Sequence, residues 1–253
     1  MKKETLSIAF STQKGGVGKT TFTVLAASYL HYLKGYNIAV VDCDYPQHSI
    51  TAMRKRDVEL VSTNQNYKLK AFNQFKALNK KAYPILTSTP EHATEVATTY
   101  LSNENDDIDI IFYDLPGTVN SEGVISSLAS MDYIFTPITA DRVVLESTLS
   151  FAMTINNLLI QNSEFNLKAL HLFWNQVDGR ERTDLYQIYE QTIKELKLNL
   201  MTTYIPDTKR YKKESFGEKP TVFRSTLFPA DRRLVRGSNL EELIIEIENL
   251  IKL

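Results

Sequence analysis

A single cysteine, Cys43, excludes an intramolecular disulfide and any zinc or iron–sulfur site that needs several cysteines from one chain. A reducing, cytoplasmic setting is the simplest expectation. Glycine and proline are scarce, 9 and 8 among 253 residues, and no Gly/Ser linker, low-complexity tract or internal repeat interrupts the chain, so one continuous domain over residues 1–253 is expected. No stretch approaches the ~20 apolar residues of a membrane span. The start, MKKETLSIAFSTQKGG, holds a strand-length apolar run ended by Gln13 and Lys14 rather than a signal-peptide core. Net charge is nearly absent too: 29 Lys+Arg against 30 Asp+Glu leave −1, which excludes a uniformly basic nucleic-acid binder, and 43% hydrophobic residues exclude wholesale disorder.

What is present is an alternation of strands and helices. Thr5 to Phe10 reads as a short strand, Thr20 to Leu33 as a helix stopped by Gly35, and Asn37 to Asp42 as a continuous apolar strand, which together make one βαβ unit. Further buried-strand runs lie at Ile108 to Tyr113, Tyr133 to Pro137, Ala169 to Trp174 and Met201 to Ile205. Helical stretches lie at Val143 to Leu159, Asp184 to Leu196 and Leu240 to Ile251. The expected fold class is α/β, a mostly parallel twisted sheet with helices on both faces.

Between the first strand and first helix stands Lys14-Gly15-Gly16-Val17-Gly18-Lys19-Thr20-Thr21. Glycines let a loop turn its N–H groups inward around a phosphate, and the helix start behind it adds partial positive charge. Lys19 can then reach β and γ phosphates, and Thr20 can ligate Mg²⁺. The general phosphate-loop pattern has one more glycine where this chain has Gln13. Asp109-Ile110-Ile111-Phe112-Tyr113-Asp114-Leu115-Pro116-Gly117 has the form of a buried strand ending in an acid, Asp114, which can hold Mg²⁺ through water, while Gly117 can offer its N–H to a γ phosphate. Asp42-Cys43-Asp44 ends the second strand, at the carboxyl edge where α/β sheets take ligands; Cys43 between them reads as a small buried filler.

The spelling K-G-G-V-G-K-T-T, with a lysine at the loop's start, resembles the deviant Walker A motif of the ParA/MinD family of ATPases. The resemblance extends over nearly the whole chain and implies a P-loop fold, ATP and Mg²⁺ as cofactors, and a homodimer formed face to face through the ATP site. It implies that Lys14 crosses to the partner's phosphates, as an arginine finger does elsewhere. In the family's D-x-D-P-Q element the first aspartate, here Asp42, holds a metal-bound water and the second, here Asp44, orients the attacking water. This chain reads Asp42-Cys43-Asp44-Tyr45-Pro46-Gln47, one residue longer, which leaves the placement of Asp44 open. Asp114 to Gly117 matches the family's D-x-P-G switch. Asn175, after an apolar strand, resembles the family's adenine-contacting asparagine, and Pro206 and Asp207 stand where its Ile-Pro segment covers the base. Asn175-Gln176-Val177-Asp178 also approximates the N-K-x-D guanine code. ATP is the expected nucleotide, with GTP competition as the arbiter.

Several branches of the family can be weighed. Nitrogenase-type reductases bridge an iron–sulfur cluster with two cysteines per subunit, and this chain has one; arsenite-pump-like ATPases are typically duplicated or membrane-partnered and use cysteine metal sites, whereas this chain has one phosphate loop. A MinD-like membrane positioner needs a terminal amphipathic helix rich in Lys/Arg, whereas Ser238 to Leu253 holds four Glu and one Lys, so packing on the sheet and no membrane partner are expected. The ParA branch implies non-specific DNA binding by the ATP-bound dimer, slow hydrolysis stimulated by a ParB-like protein, and nucleoid association. With Lys14 so near Met1, the N-terminal helix-turn-helix domain of longer plasmid ParA proteins is not expected. Asp42 to Ser49 also resembles ParA-like proteins of conjugative transposons, the TraA group, which implies a transfer or maintenance role. A nucleotide-gated scaffold with little hydrolysis remains an alternative because of Tyr45.

Charge is segregated along the chain. Residues 54–81 carry eight Lys/Arg against Asp57 and Glu59, and residues 207–236 carry nine against four acids, while residues 82–206 hold 6 basic and 17 acidic side chains. The expected DNA surface is the C-terminal cluster Lys209, Arg210, Lys212, Lys213, Arg232, Arg233 and Arg236.

Overall fold

A computed structural model describes residues 4–103, 107–117, 122–179, 184–212 and 221–253. Its centre is set by strands whose apolar side chains alternate between two covered faces. β1 (Leu6–Phe10) sends Ile8 and Phe10 to one face and Ala9 to the other; β2 (Ile38–Asp42) divides Ile38 and Val40 from Ala39 and Val41; β4 (Ile110–Asp114) divides Ile110 and Phe112 from Ile111 and Tyr113. With β3 (Ile85–Thr87), β5 (Tyr133–Ile138), β6 (Ala169–Trp174) and β7 (Asn199–Leu200) they form one seven-stranded sheet in the order β3-β2-β4-β1-β5-β6-β7. Every pairing is parallel. The register sets Asp42 beside Asp114, so two carboxylates end neighbouring strands at one edge.

The first face is covered by α1 (Lys19–Tyr29), α2 (Ser49–Thr63), α3 (Gln65–Leu78), the short α8 (Arg232–Val235) and α9 (Leu240–Ile251). Its core is aromatic: Phe10 lies 5.9 Å from Phe22 and 5.8 Å from Phe135, ring centre to ring centre, and Phe22 meets Phe173 edge-on at 5.0 Å. α9 turns Leu243, Ile244, Ile247 and Ile251 into this core and Glu241, Glu242 and Ile245 to solvent. α2 and α3 form a helical hairpin, joined at Asn64, whose side chain caps α3 by accepting from the Asn66 and Tyr67 amides. Tyr67 and Ala71 of that hairpin pack with Val222, Leu227 and Phe228.

The second face is covered by α4 (Ala93–Asn103), α5 (Glu122–Ala129), α6 (Arg142–Ile155) and α7 (Asp184–Glu195). α6 runs on through a π turn, and the stretch Arg142–Ile160 is long and apolar enough to cross a membrane by length and composition. Leu145, Leu149, Ala152, Ile155 and Leu159 pack it into the second core instead.

The expected α/β class holds, with local differences. The run Met201 to Ile205 is not a regular strand: β7 stops at Leu200, and the chain then follows β6 loosely, Met201 N–H donating to Leu172 O and Ile205 N–H to Trp174 O, both at 2.8 Å. Helices α2 to α5 and strand β3 carry no strong period in the sequence; burial on the sheet or on the 222–228 loop stabilises them. The described parts of the two basic segments, 54–81, 207–212 and 221–236, fall on the first face, and the acidic stretch supplies α4 to α7 on the second.

Candidate functional site

The loop from Lys14 to Gly18 leaves β1 at the carboxyl edge of the sheet and enters α1. Gly18 sits at φ 93°, a left-handed conformation, and a Cβ there would meet the Phe22 ring at 3.1 Å, so only glycine fits both the turn and the packing. No side chain caps α1 and its first turn has no acid, so its leading N–H groups face outward without a carboxylate competitor.

Lys19 is buried and its ammonium donates to the Lys14 carbonyl at 3.0 Å, folded back over the loop. Burial lowers its pKa, opposed by the charges of Asp114 and Asp44. Gly117, in the turn after β4, lies against the loop: a Cβ there would stand 2.9 Å from that ammonium and 3.5 Å from the Gly15 amide nitrogen. Lys14 itself is half-buried at the loop's start.

Thr20 donates its hydroxyl to Asp114, whose two carboxylate oxygens lie 2.8 and 3.1 Å away. Asp114 is fully buried, and burial, with the nearby charges of Asp42 and Asp44, pushes its pKa up to about 7 against the pull of the Thr20 bond. Asp42 is equally buried; its Oδ2 accepts from the Thr51 amide and hydroxyl, both at 2.8 Å, while its Oδ1 has no hydrogen-bond partner. A buried carboxylate oxygen without a donor, beside a second carboxylate and a hydroxyl, fits a hydrated cation. No group of three or more His, Cys, Asp or Glu gathers into a metal cage among the described residues. The set therefore suits Mg²⁺ shared with a phosphate rather than a self-contained metal site.

The extra residue after Asp44 is absorbed outward. Tyr45 is 64% exposed, and the turn closes behind it through His48 N–H to Asp44 O at 2.8 Å and His48 Nδ1 to Asp42 O at 3.1 Å. Asp44 stays half-buried and near enough for its charge to act on both Lys19 and Asp114. Cys43 is buried against the sheet, as a filler would be, and burial pushes its thiol well above the usual range.

A cavity of about 280 Å³ adjoins the loop, lined by Gly16, Gly18, Thr21, Asn175, Pro206 and Asp207 among others. Pro206 is held by a bridge to Val177, and the Asp207 amide donates to Val177 O at 2.9 Å. Asn175 also braces the loop: its Nδ2 donates to Val17 O at 2.9 Å and its Oδ1 accepts from the Gln176 amide at 2.9 Å, leaving one N–H of the side-chain amide for a ligand. Gly15 and Val17 complete the loop, the first exposed and the second buried.

Sequence motifs missed Arg224. Its Nη1 donates to Thr21 Oγ1 at 2.6 Å across 203 positions of sequence. No local pattern marks it.

In the basic cluster, Lys209, Arg232, Arg233 and Arg236 are exposed, the last three on α8 and its end. Arg210 also fastens the fold: its Nη1 donates to the carbonyls of Leu234 at 3.3 Å and Arg236 at 2.6 Å, tying the Lys209–Lys212 turn to α8. The Lys212 side chain and all of Lys213 lie outside the described residues. In the other segment, Arg54 is likewise a fastener, bonded to Thr226 and the Tyr83 carbonyl, and Lys80 holds the carbonyls of Gly35 and Tyr36.

A phosphate-type loop after a central parallel strand, with carboxylates ending two strands of the same edge, defines a P-loop nucleotide-binding protein. This chain belongs to the CobQ/CobB/MinD/ParA nucleotide binding domain family, whose description matches residues 8–221. No curated relative matches the sequence. Among solved structures, a plasmid partition protein from Borrelia burgdorferi is similar at TM-score 0.60 and 17% identity, covering 97% of this chain and 100% of that one. The MinD cell division protein of Aquifex aeolicus is similar at 0.61 and 15%, covering 98% and 97%. pNOB8 ParA bound to nonspecific DNA is similar at 0.57 and 14%, covering 97% and 99%. At these identities the likeness establishes the fold.

Proposed function

We propose that this protein is a ParA-like ATPase that dimerises around Mg²⁺·ATP, binds DNA non-specifically in that state and releases it after slow hydrolysis stimulated by a ParB-like partner. It would act in DNA segregation or positioning, or in maintenance or transfer of a conjugative element, in the cytoplasm and on the nucleoid. The observation that carries the reading is that the exposed arginines of α8 and the lysine-bearing hairpin α2–α3 share one sheet face with α1, the helix that begins at the phosphate loop. The DNA-bound state of pNOB8 ParA, a protein of the same fold, supports it.

Mg²⁺, when bound, would neutralise phosphate charge, and Thr20, Asp42 and Asp114 are the residues that would hold it. Lys19 leaves the Lys14 carbonyl for the phosphates, a move its buried, partly destabilised charge favours. The Gly117 amide would donate to a γ phosphate, and Asp44 would orient the attacking water. Lys14 of one protomer reaches the other's phosphates, and the 280 Å³ cavity takes adenine against Asn175, Pro206 and Asp207.

Retention of DNA with ATP, ADP and no nucleotide tests this. Strong retention with ATP alone is expected; equal retention in all three, or none, defeats it. A membrane-associated role is disfavoured by α9, whose apolar face is already buried on the sheet. Co-sedimentation with anionic vesicles in ATP would revive it.

A further inference from the structure

We propose that Arg224 is a positioning residue of the nucleotide site, acting through Thr21 on the phosphate nearest the nucleoside; this rests on the nucleotide reading of the 14–21 loop.

Thr21 lies between the phosphate loop and the cavity, whose walls include Gly16, Gly18, Asn175 and Pro206. Lys19 and Thr20 belong to the metal side with Asp114, so Thr21 faces the other end of a bound triphosphate. Its hydroxyl accepts a hydrogen bond from the Arg224 guanidinium at 2.6 Å. A hydroxyl that accepts from a cation keeps its own proton for a further acceptor, and the donation makes that proton a stronger donor. In the chain guanidinium, hydroxyl, phosphate oxygen, the cation acts on the anion across one hydroxyl.

The backbone that carries this guanidinium is held on both sides. Residues on both sides of Arg224 are locked: Phe223 is fully buried edge-on against Tyr211, ring centres 4.9 Å apart, and Ser225 and Thr226 are bonded to buried Asp57. Ser28 donates to the Ser225 carbonyl at 2.7 Å and Tyr32 to the Thr226 carbonyl at 2.9 Å, so α1 grips the same loop whose arginine returns to the head of α1. A loop fixed before the ligand arrives, with its arginine already bonded to Thr21, loses little freedom on binding. With no acid in the first turn of α1, the positive end of the helix and the guanidinium act in the same sense on an anion.

A double-mutant cycle on the full chain tests the inference, with ADP and ATP affinities read by fluorescent-analogue displacement and Tm by circular dichroism. Arg224→Met and Thr21→Val should each weaken ADP and ATP alike by about 10-fold, the range of a charge-assisted hydrogen bond. The double variant should be no weaker than either single one, because one residue acts through the other. Arg224→Lys, which still donates, should recover most of the affinity. Should Arg224→Met fold poorly, Arg224→Gln, which keeps a polar side chain but removes the charge, takes its place in the cycle with Thr21→Val. Additive losses, a loss confined to ATP, or a fall in Tm with unchanged affinities would each overturn the role. If the native chain binds neither nucleotide, the reading of the loop fails with it; native binding with additive losses overturns Arg224 alone.

Discussion

The two faces of the sheet are built by the same rule and finished differently. Each strand feeds alternate side chains to both, and each face is covered by helices over a continuous apolar core. The first face is aromatic at its centre, buries Asp57 beneath the 222–228 loop, and turns lysines and arginines outward. The second is mainly aliphatic and carries the acidic stretch of the chain. Burial thus made the fold on both sides, and the surface charge left over differentiates them.

The largest expected effect breaks this comparison directly. Reversing Arg232, Arg233 and Arg236 to Glu should abolish ATP-dependent DNA retention with nucleotide affinity unchanged, whereas reversing Glu95, Glu146 and Glu195 on the second face to Lys should leave retention no weaker. If the second triple variant gains retention as far as the first loses it, net charge rather than one face governs binding. Retention by native protein should also fall steeply with salt, as counterion release requires.

Next in size is the buried carboxylate of the first face. Asp57→Ala strands the Ser225 and Thr226 donors, and urea denaturation should show a loss of about 3 kcal/mol or more. Thr148, buried on the other face with a bond to its own helix, should cost about 1 kcal/mol on change to Val. Similar losses would mean the two interiors are equally tolerant.

A smaller effect is read from pH. The folded pKa of Asp114, about 7, stands above its unfolded value near 3.8, so folded protein binds the proton more tightly. Its contribution to stability is complete below the unfolded value and is lost as pH rises through about 7. Without nucleotide or Mg²⁺, Tm should therefore fall between pH 5 and pH 8, and Asp114→Asn should flatten that fall, an outcome thermal melts at several pH values decide. Mg²⁺ needs the ionised form, so its binding should strengthen over the same interval. Smallest of all, Glu242→Ala on the exposed side of α9 should shift stability by no more than about 0.5 kcal/mol, against about 3 kcal/mol for Leu243→Ala beside it.

Particular elements show where the sequence was legible. β1, α1, β2, β4 and α9 stand out because long apolar runs or a helical period coincide with glycine stops and caps. β7 was misplaced because Met201 to Ile205 is apolar for another reason: Met201 and Ile205 pack into the first core, alongside β6 but out of regular ladder. The α2–α3 hairpin escaped because its apolar side pairs with Val222, Leu227 and Phe228, far along the chain. Within the site, Lys14 to Thr21 and Asp114 to Gly117 were readable because a phosphate loop and a strand-ending acid are made of consecutive residues. The outward bulge of Tyr45, the bracing role of Asn175 and the fastening roles of Arg54 and Arg210 depend on what stands opposite them.

By itself, the sequence determined the α/β class, the phosphate loop with its carboxylates, and the unequal spread of charge, since these follow from local periodicity, backbone chemistry and composition. Only the tertiary structure decided that α2–α3 and α8 share a face, that Asp42 lies in register with Asp114, and that Arg224 returns to Thr21. Those facts join residues tens to hundreds of positions apart. Burial and parallel pairing select such contacts over the whole chain at once, so no local pattern encodes them.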